Sequence, residues 1–315
     1  MLYEFGLSPG VFDKSLITSN DYLARDLVRF LDGLQQNGLI GNLCDGELRR
    51  EIGRKLAALP SGRLREELRY GLEMLDRRQR FIDRAYAGPG WPDDDATWFQ
   101  EAVTSHANEA FYSIVTTEGT ANGRQCPPCT LRIGSVCSSS LWTGRQNSRR
   151  VERRATAFQD VLRPVLRNAK SLMLIDPHIQ PERARYFRSL QAMVQLAYNR
   201  LVPNSLKVFE IHSKTKADYS WYHNELRSRI GPLIPSGCQV RLVLWEDPGD
   251  RFHNRFILTN FCGISVDRGL DESDQGLDHD DWEIIDERHR EDVWNRFRTA
   301  GVSTYGPVAY EGTLP

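Results

Sequence analysis

Several signatures are missing from this 315-residue chain, and each absence removes a class of function. No run of 18 consecutive apolar residues occurs, so the ordinary signature of a membrane-spanning helix is absent. The opening MLYEFGLSPGVFDKS has no basic start followed by an apolar stretch, so a secretory leader is not expected, and a cytoplasmic location is. Charge is nearly balanced at −1, which by itself points to no polyanionic partner. Six scattered cysteines in such a chain are expected to be reduced thiols. There is no internal repeat, and Cys126-Pro-Pro-Cys129 has no second Cys-x-x-Cys pair to complete a four-thiolate site. Cys126, Cys129 and Cys137 with His106 could together hold a zinc ion, but the spacing does not require it, and no metal or cofactor is expected.

What remains is a globular composition, 40% hydrophobic and 26% charged, with length for two ordinary domains. Residues 1–147 read as mainly α-helical, of unknown role, and could seat a partner protein. Ser19 and Asn20 are good N-caps ahead of a 3.6-period stripe, Tyr22, Leu23, Leu27, Phe30, Leu31 and Leu34. Leu64, Leu68, Leu72, Leu75 and Ile82 suggest a second helix, and Trp98 to Phe111 a third. YSIVTT and LRIGSV read as strands.

From residue 148 to 315 the rhythm changes to α/β alternation. A basic amphipathic helix is expected near 150–168; Arg145 to Lys170 carries eight Lys/Arg against two acids and could follow a phosphate backbone. The strands SLMLID, LKVFEIH and CQVRLVLWE alternate with helical patterns, as in a largely parallel sheet covered on both faces. HNRFILT and GISVD are too closely linked to be parallel and are expected to form a hairpin.

Ligands of such sheets gather at the carboxyl ends of the strands. Those ends carry Asp176 and His178, then His212 and Lys214, with His253 and Arg255 nearby. Strand alternation would put His253 and Arg255 on one face. A guanidinium offers a donor fork to phosphate oxygens, and a histidine can attack phosphorus or carry a proton.

His253-x-Arg255, then Asn260, Gly263 and Asp267-Arg268-Gly269-Leu270-Asp271, resembles the phospholipase D superfamily signature. With Asp176-Pro177-His178-Ile179, the pattern is most similar to the phospholipase D-like C-terminal domain of MIT-domain proteins. The resemblance covers about half of the chain and implies a mixed sheet with helices on both faces. It also implies a phosphodiester ligand, nucleic acid above all. His253, Arg255 and Asp271 would be catalytic, and Asp176, His178, His212, Lys214, Asn260 and Arg268 would hold substrate. The superfamily has lysine at the place of Arg255, aspartate at that of Asn260, and two motif copies where this chain has one. Hydrolysis would then need a homodimer in which one His253 forms a phosphohistidine and the other protonates the leaving oxygen, without metal. A metal-independent nuclease is one expectation, for which family habit suggests a bacterial defence system; a non-catalytic module for phospholipid or nucleic acid, or a scaffold subunit, is the other.

Overall fold

The computed structural model describes residues 1–88, 90–199, 206–247, 251–274, 278–298 and 306–314. The chain is of the α/β class and divides into two compact units, Leu2–Asn147 and Ser148–Pro315. Among the described residues no helix is long and apolar enough to cross a membrane.

In the first unit five short strands, β1 (Tyr3–Leu7), β2 (Gly38–Asn42), β3 (Phe81–Asp83), β4 (Ser113–Thr116) and β5 (Thr130–Arg132), form a sheet in the order β3-β2-β1-β4-β5. Every neighbouring pair is parallel. The helices are α1 (Lys14–Ser19), α2 (Asp21–Asn37), α3 (Glu47–Ala57), α4 (Arg63–Arg77) and α5 (Asp95–Asn108), with the single turns α6 (Glu118–Ala121) and α7 (Ser140–Thr143). The expected helical stripe is α2. Asn20 caps it, its Oδ1 accepting from the amides of Tyr22 and Leu23 at 3.1 Å, and Leu27, Phe30 and Leu34 are buried beneath it. Asp94 and Thr97 form a reciprocal capping box at the start of α5.

Residues 1–147 are rich in helix, as expected, and a parallel sheet that was not expected runs through them. Helices hold most of its residues, but β1, β2, β3 and α3 were not expected, and Ile82 lies in β3 rather than at a helix end. The strands are short and glycine-bearing, YEFGL and GLIGN, and both lie almost wholly buried. Buried on both faces, they show no alternation, and β2 follows α2 without an intervening loop. Their glycines are needed by packing. A Cβ at Gly41 would lie 2.5 Å from Cε1 of the buried Phe111, and one at Gly6 2.9 Å from Cδ2 of that ring.

The second unit contains an eight-stranded mixed sheet in the order β13-β9-β8-β7-β10-β11-β12-β6. Its strands are β6 (Ser148–Glu152), β7 (Ser171–Ile175), β8 (Val208–Ser213), β9 (Val240–Trp245), β10 (Arg255–Thr259), β11 (Gly263–Val266), β12 (His279–Ile285) and β13 (Val308–Leu314). Only β7, β8 and β9 are mutually parallel, and the expected hairpin is β10–β11. The expected basic helix is shorter than drawn. Residues 148–152 are the edge strand β6, and α8 covers Ala155–Leu166, followed by α9 (Ala184–Tyr198), α10 (Tyr219–Ile230) and α11 (Glu287–Arg298).

Register assigns the faces. Leu174, Ile257 and Ile264 are cross-strand partners, as are Val266 and Trp282. The ring of Trp282 lies 4.9 Å from that of Phe158 on α8. On the opposite face Met173, Ile175, Val243, Trp245, Phe256 and Leu258 pack with Val293 and Phe297 of α11. Helices thus cover both faces of this sheet.

Replacing Gly41 by Ala should destabilise the first unit by about 1–3 kcal/mol through overpacking against Phe111, with part of the loss recovered when Phe111 is also changed to Leu. Urea unfolding of the two variants checks this, and an unaltered midpoint for Gly41→Ala alone would contradict the packing.

Candidate functional site

The carboxyl end of β7 holds the most constrained residue of the second unit. One step beyond the Ile175–Phe256 pair, Asp176 comes opposite Arg255. Asp176 is fully buried. Its Oδ1 accepts from the His178 amide at 2.8 Å and its Oδ2 from the Leu270 amide at 2.9 Å. The Nε of Arg255 stands 3.9 Å from Oδ1, and its Nη1 donates to the Asp267 carbonyl at 2.9 Å. Burial pushes the Asp176 carboxyl up to about 6, against the amides of Leu270 and His178 and the Arg255 charge, which favour the anion.

The segment from Asp267 to Glu272 is held from several sides. Gly269 has φ +144°, and a Cβ there would meet Asp271 Oδ1 at 2.9 Å and Asp176 Oδ2 at 3.3 Å, so both backbone and space call for glycine. Asp271, nearly buried, pairs with Arg153 at 2.5 Å and Arg185 at 3.2 Å. Glu272 pairs with Arg188 and accepts from the Ala155 amide at the start of α8 at 2.9 Å. The Arg268 side chain reaches Asp278 at 2.8 Å while its amide donates to Asp280 at 3.0 Å. The Arg-Gly-Leu-Asp stretch is thus a clamp joining β7, β10, α8 and α9. Breaking a buried pair in such a network typically costs about 3–5 kcal/mol.

Of the residues expected to share one site, Asp176, Arg255 and Asp271 do come together, as this internal network. His253 stands outside that ion network. Strand β10 begins only at Arg255, so His253 precedes the regular strand. It is exposed and lines, together with Arg255 and His289, a cleft of about 510 Å³ whose acids are Asp267, Asp281 and Glu283.

His212 lies elsewhere again. It is the cross-strand partner of Ile175, hence on the face opposite Asp176, and is fully buried near α11. Its ring meets Phe297 edge-on at 5.2 Å, Nδ1 accepts from Trp245 Nε1 at 3.1 Å, and Nε2 is 3.2 Å from Glu210. Burial lowers its pKa, with Glu210 pulling the other way, so it is a neutral core residue and not a substrate ligand. Asn260 is at the other end of β10, where its Oδ1 accepts from the amides of Lys170 at 2.7 Å and Ser171 at 3.2 Å. Five residues of extended chain, about 16 Å, separate it from Arg255.

His178 and Lys214 meet in a second cleft, of about 670 Å³, at the carboxyl ends of β7, β8 and β9. Lys216, Trp221, Glu182, Glu246 and Asp247 also line it. Lys214 donates to Asp247 at 2.8 Å. Asp247, at φ +42°, also accepts from the amides of Arg251 at 2.7 Å and Phe252 at 3.0 Å. Burial favours the neutral Asp247 carboxyl, but Lys214 and these amides outweigh it and hold the pKa low. Sequence reasoning missed Lys216 and Trp221, although both lie in the loop and helix start that follow a strand end. It also missed Arg153 and Arg185, whose partners are 118 and 86 residues away along the chain.

The cysteines do not gather. Cys129 Sγ lies 3.8 Å from His106 Nε2, whereas Cys137 donates to the Asp26 carbonyl and Cys126 to the carbonyls of Ala121 and Arg124. Among the described residues no group of three or more His, Cys, Asp or Glu side chains could hold a metal ion. One feature of the first unit was also unforeseen. Its strand order reverses between β1 and β4, the usual place for a crevice. A cleft of about 540 Å³ opens there beside Gly10, Thr117, Glu118 and Arg132, with the Gly10 amide donating to Asp95 at 2.5 Å.

No family model matches the chain, and no curated protein does. One similar solved structure is that of TrmBL2, described as an archaeal chromatin protein with a novel mode of DNA binding. It is 12% identical, with 79% of this chain and 83% of that chain covered and a TM-score of 0.29. A superposition at that level carries no argument about fold or function.

The raised Asp176 pKa has a definite sign. The folded state binds this proton more tightly than the unfolded chain, so the contribution is complete below the ordinary value of 3.8 and is lost as pH rises through about 6. Between pH 7 and pH 5 the second unit should gain about 1 kcal/mol relative to an Asp176→Asn variant. Hydrogen exchange of the β7 and β10 amides at both pH values measures the difference; an identical pH response in the two proteins would remove the assignment.

Proposed function

We propose that this chain is a phosphodiester-binding module whose ligand site is the cleft at the carboxyl ends of β7, β8 and β9. One observation carries the reading. Asp271 is closed into the clamp, and Arg255, tied to Asp176 and the Asp267 carbonyl, lines a cleft with three acids, whereas the cleft of His178 brings together two lysines, Lys214 and Lys216. Ammonium groups and an imidazole in a concave site suit a phosphate oxygen. The volume of about 670 Å³ is of the size that small ligands or one unit of a polymer occupy.

The hydrolytic alternative rests on His253, which is exposed. In that reading two chains would bring two copies of His253 to one phosphate, since each carries a single motif. Three acids, Asp267, Asp281 and Glu283, line the His253 cleft against one guanidinium, that of Arg255, a balance that opposes an anionic substrate there and favours binding over hydrolysis.

The test is an anisotropy titration of a labelled single-stranded oligonucleotide in EDTA, with product analysis of the same mixtures. Wild-type protein should bind without cleaving. Lys214→Ala combined with Lys216→Ala should weaken binding at least about tenfold and flatten its salt dependence. Cleavage that disappears in His253→Ala would establish the nuclease reading instead, and binding indifferent to both lysines would remove the ligand from this cleft.

A further inference from the structure

Among the described residues of the second unit, Trp221 is the large apolar side chain left substantially exposed, at 42%, and it lines the cleft with His178, Lys214 and Lys216. The other exposed aromatics, Tyr22, Tyr70 and Trp91, belong to the first unit. Its backbone is anchored by a helix cap. Trp221 stands in the first turn of α10, and its amide donates to the capping carboxylate of Asp218 at 2.8 Å. An indole held at the wall of a polar cleft offers a π-face that a flat ring can cover.

The charges around it narrow the ligand. Asp247 is engaged by Lys214 and two backbone amides, which leaves Glu182 and Glu246 as the other acids lining the cleft. A headgroup bearing several phosphomonoesters would bring close to two negative charges per group against those carboxylates. A nucleic-acid link brings one charge, and its sugar hydroxyls and exocyclic amines are donors that carboxylates accept. We infer that the cleft takes single-stranded nucleic acid, with one unstacked base on Trp221 and its phosphodiester at Lys214, Lys216 and His178. This rests on the phosphodiester reading above and adds the class of ligand to it.

The experiment compares a labelled single-stranded oligonucleotide with an abasic strand of the same length and charge, on wild type, Trp221→Ala and Trp221→Phe. Wild type should prefer the base-bearing strand by about 5- to 100-fold, the range expected for one base–aromatic stack. Trp221→Ala should erase that preference and Trp221→Phe should keep much of it; a preference undiminished in Trp221→Ala would overturn the assignment of the base to Trp221. Equal binding of the two strands to wild type, both sensitive to the lysine substitutions, would overturn the base assignment and leave the phosphodiester reading standing. Displacement of the oligonucleotide by vesicles rich in anionic phospholipid, at lower phosphate concentration than by abasic strand, would make the occupant a lipid surface and overturn the inference. Absence of binding by either strand would remove the phosphodiester reading and the inference together.

Discussion

The second unit depends on a single buried carboxylate. Asp176 has lost its water and receives the amides of His178 and Leu270 in exchange, with the Arg255 guanidinium beside it. An isolated buried anion would be prohibitive, and the rise of its pKa to about 6 shows burial outweighing the amides and the guanidinium that favour the charge. Through Leu270 it fixes the turn at Gly269. That turn delivers Asp271 to Arg153 and Arg185 and Glu272 to Arg188 and the start of α8. Removing one charge from such a set strands its partners, so these residues act together and their energies will not add.

This arrangement separates two things that a linear motif fuses. The Asp-Pro, His-x-Arg and Arg-Gly-Leu-Asp segments do converge in space, but what joins Arg255, Asp176 and Asp271 is an ion network, at whose edge Arg255 also lines the His253 cleft. The polar residues of the neighbouring cleft come from the ends of β7, β8 and β9, and of them His178 belongs to one of the motifs. Strand ends in a sheet of this kind are where variation of loops costs the core least, which makes them the natural place for ligand chemistry.

Much of the second unit was legible in the sequence because its strands are long apolar runs set between amphipathic helices. Phe209 and Ile211, or Leu242 and Leu244, announce themselves by composition. The first unit hid its sheet because β1, β2 and β3 are three to five residues long, β1 and β2 contain glycine where Phe111 crosses them, and helix propensity is left as the dominant signal. At the site, local reasoning placed Asp176, His178 and Lys214 correctly at strand ends. It failed for His212, whose face is decided by register, and for Asn260, which serves the opposite end of β10. Neither register nor the partnership of Arg153 with Asp271 leaves a trace in a single sequence.

The central claim is that Arg255 serves the fold and not the ligand. Replacing Arg255 by Gln, and measuring both unfolding free energy and oligonucleotide affinity of the folded fraction, tests it directly. Loss of about 2–4 kcal/mol of stability in the second unit with affinity changed less than twofold is the expected result. Unchanged stability with binding or turnover abolished would contradict the account and return Arg255 to the ligand.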